Sequence, residues 1–432
     1  MLAEQKQISE TRDARFVREA GVDYRSAAQV DRDRVQYSSA FARLGEVTQV
    51  VSAAKGYAYH NRLTHTLKVA QLARRLGEKL NKEQPEIASQ LHGLDPDAAE
   101  AAALAHDIGH PPFGHLAEET LDGLCKSSGL RDGYEGNAQS FRIVTRIATG
   151  DGFTSTGVPV TGLNLTRATL NALLKYPWIH GDNPENAKKW GSYESERPIF
   201  EWVREQQPFG KNVKCIEAEL MDWADDITYS VHDLIDFYCA GRIPLERLAE
   251  NSDANEDREA FFEEVFQRKQ DLQSRRDGLM GAFQDITKYF PLRQRYLGTG
   301  KQKAWLWRYT TVLISRYVDA VKLSLDRPDR CVEIPGWARD EIAMLKQLTW
   351  HYVILHNDLA LEQHGYREMI KTTFDVLKHA SQKELKLFPP YLKEQLQQTE
   401  TETGRIRLIT DHISSMTEKE IMRFHRAVTG RH

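Results

Sequence analysis

Residues 101–121 read AAALAHDIGHPPFGHLAEETL: a small-residue helix that runs into His106 and Asp107 and is stopped by Gly109, Pro111 and Pro112. Two potential metal ligands therefore stand at a helix end. Consecutive helical side chains diverge by roughly 100°, so these two can share one ion only where it lies between their directions, near a terminus at which the backbone can adjust. A His-Asp pair by itself is more often an ordinary structural feature. The rest of the chain decides its meaning.

Upstream, Tyr59–His65 (YHNRLTH) opens an amphipathic helix. Val69, Leu72 and Leu76 follow His65 at helical spacing, which predicts His65 near the start of a core-facing helix and makes it a natural third ligand. Downstream, Ala218–Tyr238 (AELMDWADDITYSVHDLIDFY) carries Asp222, Asp225, Asp226, Asp233 and Asp236 among Leu220, Trp223, Ile227, Val231 and Leu234. Carboxylates on so apolar a helix are costly to bury unless paired or bound to metal. Asp225, Tyr229, His232 and Asp233 fall within an arc of roughly 100° on one side. Two imidazoles and two carboxylates around one divalent ion make a formally neutral site with open positions for water or a phosphate oxygen. Such donors favour manganese, magnesium or iron over a thiolate-selected metal.

The same three- and four-residue spacing recurs through Leu67, Ala70, Leu72, Ala73, Leu76 and Leu80, while period-two strands are scarce, so the fold class is all-α. Breakers cut the pattern at residues 109–112, 151–164, 181–184, 209–210 and 297–300. Residues 251–276 are dense in charge and predict a solvated helix or helical hairpin without chemistry. Nearly all candidate chemistry lies before residue 240. The expected organisation is a catalytic core over 1–245, including an N-terminal substrate-binding segment, with a helical region over 246–432 packed on it as one unit.

The 432 residues, 41% hydrophobic, are ample for a large core. With 58 basic and 62 acidic residues the net charge is −4, which gives no general polyanion-binding signature; phosphate binding has to be local. Cys125, Cys215, Cys239 and Cys331 lack CxxC spacing, against a zinc knuckle or disulfide framework. The charged N-terminus lacks the apolar run of a signal peptide, and no stretch reaches the roughly 18 apolar residues of a membrane span. The expectation is a cytoplasmic protein with no membrane contact.

In combination these motifs resemble the HD superfamily, and within it the deoxyguanosinetriphosphate triphosphohydrolase-like dNTPases. The resemblance rests on Asp31–Arg34, Ser38–Leu44, Thr48–Val50, His60–His65, His106–His115 and Ala224–Asp233, and covers residues 20–240. It implies an HD-domain helical core holding one divalent ion, Mn2+ or Mg2+ with Fe2+ also compatible, through His65, His106, Asp107 and Asp225. Asp225 is preferred to Asp226 because the family's metal aspartate precedes a pocket tyrosine by four residues, here Tyr229. It implies that His115 and Glu118, one turn apart, assist attack of water on the α-phosphorus of a deoxynucleoside triphosphate, dGTP favoured, releasing deoxynucleoside and intact triphosphate. Arg62 and Lys175 match phosphate-contacting cations, Tyr229 and Asp233 sugar contacts, and Gln49 a residue near the base. Arg405 and Arg407 are further cations within reach of a phosphate in this or a neighbouring subunit. A homo-oligomer, tetramer or hexamer, and a nucleotide or single-stranded DNA effector are implied on the same footing. The chain departs from the family at Val47–Val51, Gly136–Asn137 and Ile409–Thr417, positions that bear on base preference and regulation.

Two other readings compete. One is a nucleotidase or phosphodiesterase using the same four ligands; the other is a nucleotide-sensing regulatory protein. His110–His115 and the Asp225–Asp233 face favour the triphosphohydrolase over the former, and retention of His115 and Glu118 argues against the latter.

Overall fold

The structure, a computed structural model, describes residues 11–19, 23–49, 61–150, 152–154, 157, 160–205, 209–249, 255–355 and 357–430. The motif residues Val50, Val51, Tyr59 and His60 and the N-terminal ten residues lie outside these.

Helix α1 (Ala27–Tyr37) starts with a reciprocal cap between Ser26 and Gln29, and α2 (Arg62–Glu83) starts where Asn61 accepts the Thr64 amide. In α3 (Pro96–Ala105), Asp95 accepts the Asp97 and Ala98 amides and Pro96 takes the first position, where its missing N–H costs nothing. The α3 residues Ala98, Ala99, Ala101, Ala102, Ala103 and Ala105 are all fully buried. Side chains this small let neighbours approach α3 closely from several sides. After α4 (His115–Ser127) and α5 (Gly136–Arg142), helices α6 (Arg167–Leu173) and α7 (Ile216–Cys239) pack with α1 and α2 around α3. His106, which follows α3, is thereby delivered to the middle of the molecule.

The next helices are α8 (Glu256–Arg268), α9 (Arg276–Lys288) and α10 (Gly300–Asp319). Although α8 belongs to the charge-dense segment, it buries Phe261, Phe262, Val265 and Phe266, so it is amphipathic and docked, not solvated all round. A two-residue antiparallel ribbon, β1 (Lys322–Leu323) and β2 (Val332–Glu333), pairs Leu323 with Val332 and is the one sheet among the described residues. Then follow α11 (Gly336–Thr349), α12 (Asn357–Lys383), α13 (Glu402–Ser415) and α14 (Glu418–Thr429). One apolar core runs from Val35 to Val353, passing through residue 245 without a break. A second joins Ala117, Leu121 and Cys125 of α4 to Ile370, Phe374 and Leu377 of α12, Ile406 and Ile409 of α13 and Ile421 of α14.

A buried ionic cluster ties these layers together. Arg142 of α5 donates to both oxygens of Asp411 on α13, at 2.9 Å from Nε and 2.7 Å from Nη2, and to Glu196. Gln139 adds a bond to the same aspartate at 2.9 Å. Against the burial that would lower it, Asp411 and Glu196 raise the Arg142 pKa. Removing one member leaves buried charge uncompensated, so Asp411→Ala is expected to cost about 3–5 kcal/mol. The midpoint of urea unfolding, against wild type, reads this; an unchanged midpoint would mean that the cluster contributes no net stability.

Candidate active site

The first turn of α2, the end of α3 and the middle of α7 converge. His65 Nε2 lies 3.0 Å from Asp225 Oδ1, and His106 Nε2 lies 3.8 Å from that oxygen and 3.4 Å from Asp107 Oδ1. His106 Nδ1 is 2.7 Å from the Ala103 carbonyl, which can only accept; the proton therefore sits on Nδ1 and the lone pair on Nε2. That Nε2 is buried and has no hydrogen-bond partner. A buried lone pair left unpaired beside two carboxylates is what a divalent ion would satisfy. The donor atoms of His65, His106 and Asp225 all lie within 4.8 Å of one another and could hold a metal.

The charges around them are ordered. Burial alone would raise the Asp225 pKa, but the Lys175 ammonium and the His65 hydrogen bond hold it well below the usual carboxylate range. Lys175 Nζ reaches Asp225 Oδ2 at 2.9 Å and Asp222 Oδ1 at 2.8 Å. Asp226 pairs with Lys346 at 2.6 Å. Asp107 Oδ2 accepts from Arg62 at 2.8 Å while Oδ1 stands 3.0 Å from His110 Nδ1. Against burial, Arg62 then holds Asp107 well below its ordinary pKa. Burial, with Arg62 adding to it, lowers His110 to about 4, so that this ring is neutral near pH 7.

A second group lies beside the first. Gly109 is required by space: a Cβ there would come within 2.2 Å of the Gly136 carbonyl and the Ser140 amide of α5. Beyond the two prolines, Phe113 and Gly114 both have positive φ, 68° and 63°, and this left-handed pair swings the chain into α4. His115 is thereby presented with its side chain 76% exposed, while Glu118, one turn on, is buried. His115 Nδ1 lies 2.9 Å from Glu118 Oε2, and Lys189 Nζ donates to Glu118 Oε1 at 2.7 Å. Despite its burial, the His115 contact and Lys189 lower the Glu118 pKa. An ionised carboxylate only accepts, so the His115 proton sits on Nδ1 and the lone pair of the neutral ring on Nε2. The His110 ring stands edge-on to His115 at 5.2 Å and lies between the two groups.

Both groups open on one cavity of about 440 Å³. Gln49, Arg62, His106, Asp107, His115, Lys175, Asp225 and Tyr229 line it. The Gln49 Oε1 atom is buried without a partner. His65 and Glu118 are buried behind this wall, and Glu118 contacts the lining residue His115. The structure does not bring Asp233 or His232 to this cavity: Asp233 is buried, its carboxyl pushed up to about 8 by that burial, and His232 lines a separate cavity with Lys68 and Trp307. Arg405 and Arg407 do not line it either; Arg407 pairs with Asp132 at 2.7 Å and stacks on Tyr193.

Several lining residues escaped the sequence reading. His110 belongs to the quoted motif and was accessible there. Lys189, Glu362, Gln363, Tyr366 and Glu418 were not, since Lys189 sits in an irregular segment and the others in a region whose apolar spacing reads as scaffold.

The family model for the HD domain matches residues 62–146, and that for the phosphohydrolase-associated domain matches residues 332–427. The sequence is 35% identical to a deoxyguanosinetriphosphate triphosphohydrolase-like protein of Streptomyces coelicolor, over 94% of this chain and 93% of that one. Similar proteins of the same description occur in Corynebacterium glutamicum strain R, 34% identical over 95% of this chain and 93% of the relative, and in Vibrio parahaemolyticus, 30% identical over 94% and 93%. Among the described residues no helix is long and apolar enough to cross a membrane.

Proposed function

The chain belongs to the deoxyguanosinetriphosphate triphosphohydrolase-like proteins, metal-dependent phosphohydrolases of the HD superfamily, and we propose that it converts a deoxynucleoside triphosphate, dGTP favoured, to deoxynucleoside and inorganic triphosphate. The observation that carries this reading is the shared cavity: a His115–Glu118 pair and a His65, His106, Asp225 donor group open on one space together with the cations Arg62, Lys175 and Lys189.

His65, His106, Asp107 and Asp225 would hold one divalent ion, Mn2+ or Mg2+, which would supply Lewis-acid polarisation of a phosphate oxygen. A triphosphate carries roughly four negative charges, and Arg62, Lys175 and Lys189 offset them by charge-assisted hydrogen bonds. Arg62 and Lys175 are already oriented by Asp107 and Asp225, so little ordering remains when the substrate arrives. Gln49 and Tyr229 take the nucleoside end. His115 Nε2 accepts the proton of the water that attacks the α-phosphorus, and Glu118 fixes the ring and balances the imidazolium. The bond broken joins that phosphorus to the 5′-oxygen, which leaves with a proton as the deoxynucleoside hydroxyl; the three phosphates stay joined. Residues 1–245 form the catalytic unit in this reading, with 246–432 packed on it. By analogy with the family the enzyme works in the cytoplasm as a tetramer or hexamer and answers to a nucleotide or single-stranded DNA effector.

Turnover of each dNTP with Mn2+ or Mg2+, products resolved by ion exchange, tests the assignment. Intact triphosphate and deoxynucleoside are expected in equal amounts, fastest from dGTP. Monophosphate or orthophosphate as the first product would replace this reading with a nucleotidase or phosphodiesterase, and no product with a sensor.

A further inference from the structure

The start of α14 touches both halves of the cavity. Glu418 is buried, and its Oε1 accepts the Thr48 amide at 2.8 Å and the Phe113 amide at 3.3 Å, while Oε2 accepts the Thr48 hydroxyl at 2.8 Å. One carboxylate thus holds the segment that carries Gln49 and the left-handed turn that delivers His115. Neighbouring contacts brace the same junction. Arg43 donates to the carbonyls of Met416, Ile108 and His110, at 3.1, 2.9 and 2.7 Å. Lys419 pairs with Glu46 at 3.0 Å, and the Phe113 ring stacks on Tyr366 at 4.1 Å.

We propose that Glu418 is a positioning residue that fixes the Gln49 edge and the His115 turn relative to each other, so that the phosphohydrolase-associated region sets the register between substrate and proton acceptor. Two backbone N–H groups with few other orientations aim at one oxygen, and an ionised acceptor binds them more strongly than a neutral one. The carboxylate has no part in the reaction itself. A mispositioning of about 1 Å at a reacting centre is enough to lower the rate by roughly 100-fold. The inference rests on the triphosphohydrolase reading for its kinetic consequence, though not for its structural one.

The test compares Glu418→Ala, Glu418→Gln and Thr48→Val with wild type on dGTP. Glu418→Ala is expected to raise KM and lower kcat, with kcat/KM down about 10- to 100-fold and the metal content unchanged. Glu418→Gln keeps an amide oxygen for the two backbone donors and an NH2 that the Thr48 hydroxyl can accept from, so it recovers most of both parameters. Thr48→Val loses the hydroxyl contact alone and acts chiefly on KM. Amide exchange reports the same junction without turnover: Thr48 and Phe113 exchange faster in Glu418→Ala and not in Glu418→Gln. Equal impairment in the glutamine and alanine variants, or unchanged exchange at both amides, overturns the assignment. If Glu418→Ala does not fold, Thr48→Val with an unchanged KM overturns it as well. A wild type that does not hydrolyse dGTP, yet shows the exchange pattern, refutes the triphosphohydrolase reading and leaves Glu418 as the structural link.

Discussion

His106→Ala is expected to lose bound metal and turnover together. The substitution removes an imidazole whose lone pair is fixed by its own backbone: Nδ1 binds the Ala103 carbonyl, and Nε2 is aimed at Asp107 and Asp225 with no hydrogen-bond partner. Among the described residues the other group of possible metal donors is His110, His115 and Glu118. Cys125, Cys215 and Cys331 are buried elsewhere, and His110 lies 3.0 Å from Asp107 on the side towards Glu118. Three remaining donors bind a divalent ion more weakly, because each lost ligand removes both a bond and part of the rigid frame. Metal content per chain after gel filtration should fall from one towards zero, and kcat below detection. Asp225→Asn separates charge from shape at the same point, since it keeps the volume and loses the anion that Lys175 and His65 face. Stoichiometric metal in His106→Ala would remove this histidine from the ligand set.

His115→Ala is expected to act differently. The metal stays, because His115 lies in the other group and its ring contacts Glu118. The rate falls by about 10²- to 10⁴-fold, the usual loss when a positioned acid or base is deleted. Folding should be nearly unchanged, since 76% of the side chain is exposed and its removal opens no cavity. Glu118→Gln gives an intermediate result: it keeps the ring's neighbour and loses the charge that stabilises the imidazolium. The readouts are kcat and metal content. A fully active variant would mean that the proton goes elsewhere, with His110 the nearest ring.

The quoted stretch was legible because two independent patterns met in it. Small side chains define a buried helix, and the glycine and prolines end it beside His106, so a chemical group and a structural stop coincide. His65 was legible for the same reason, standing at a capped helix start with Val69, Leu72 and Leu76 beneath it. Of the two adjacent aspartates, Asp225 contacts His65 and Asp226 contacts Lys346. Asp233 shows where angular reasoning stops. Eight residues return it to the side of Asp225, but they also carry it about 12 Å along the axis, far enough to leave the cavity. Glu418 and Tyr366 were illegible because their partners lie hundreds of residues away and nothing local marks them. The charge density of α8 misled in another way, since four aromatic and aliphatic side chains among many charges still bury one face.

The junction at Glu418 also has a consequence in time. A ribosome releases the HD segment, residues 62–146, about 270 residues before it reaches Glu418. At about 5–20 residues per second that gap lasts roughly 15–50 s. During it a nascent chain already carries His65, His106 and His115, while Asp225 arrives within the first third and the wall from α12 and α14 comes last. On the proposed function, activity therefore waits on the final helices, and polypeptides cut short before residue 418 should be inert even where their first helices have folded.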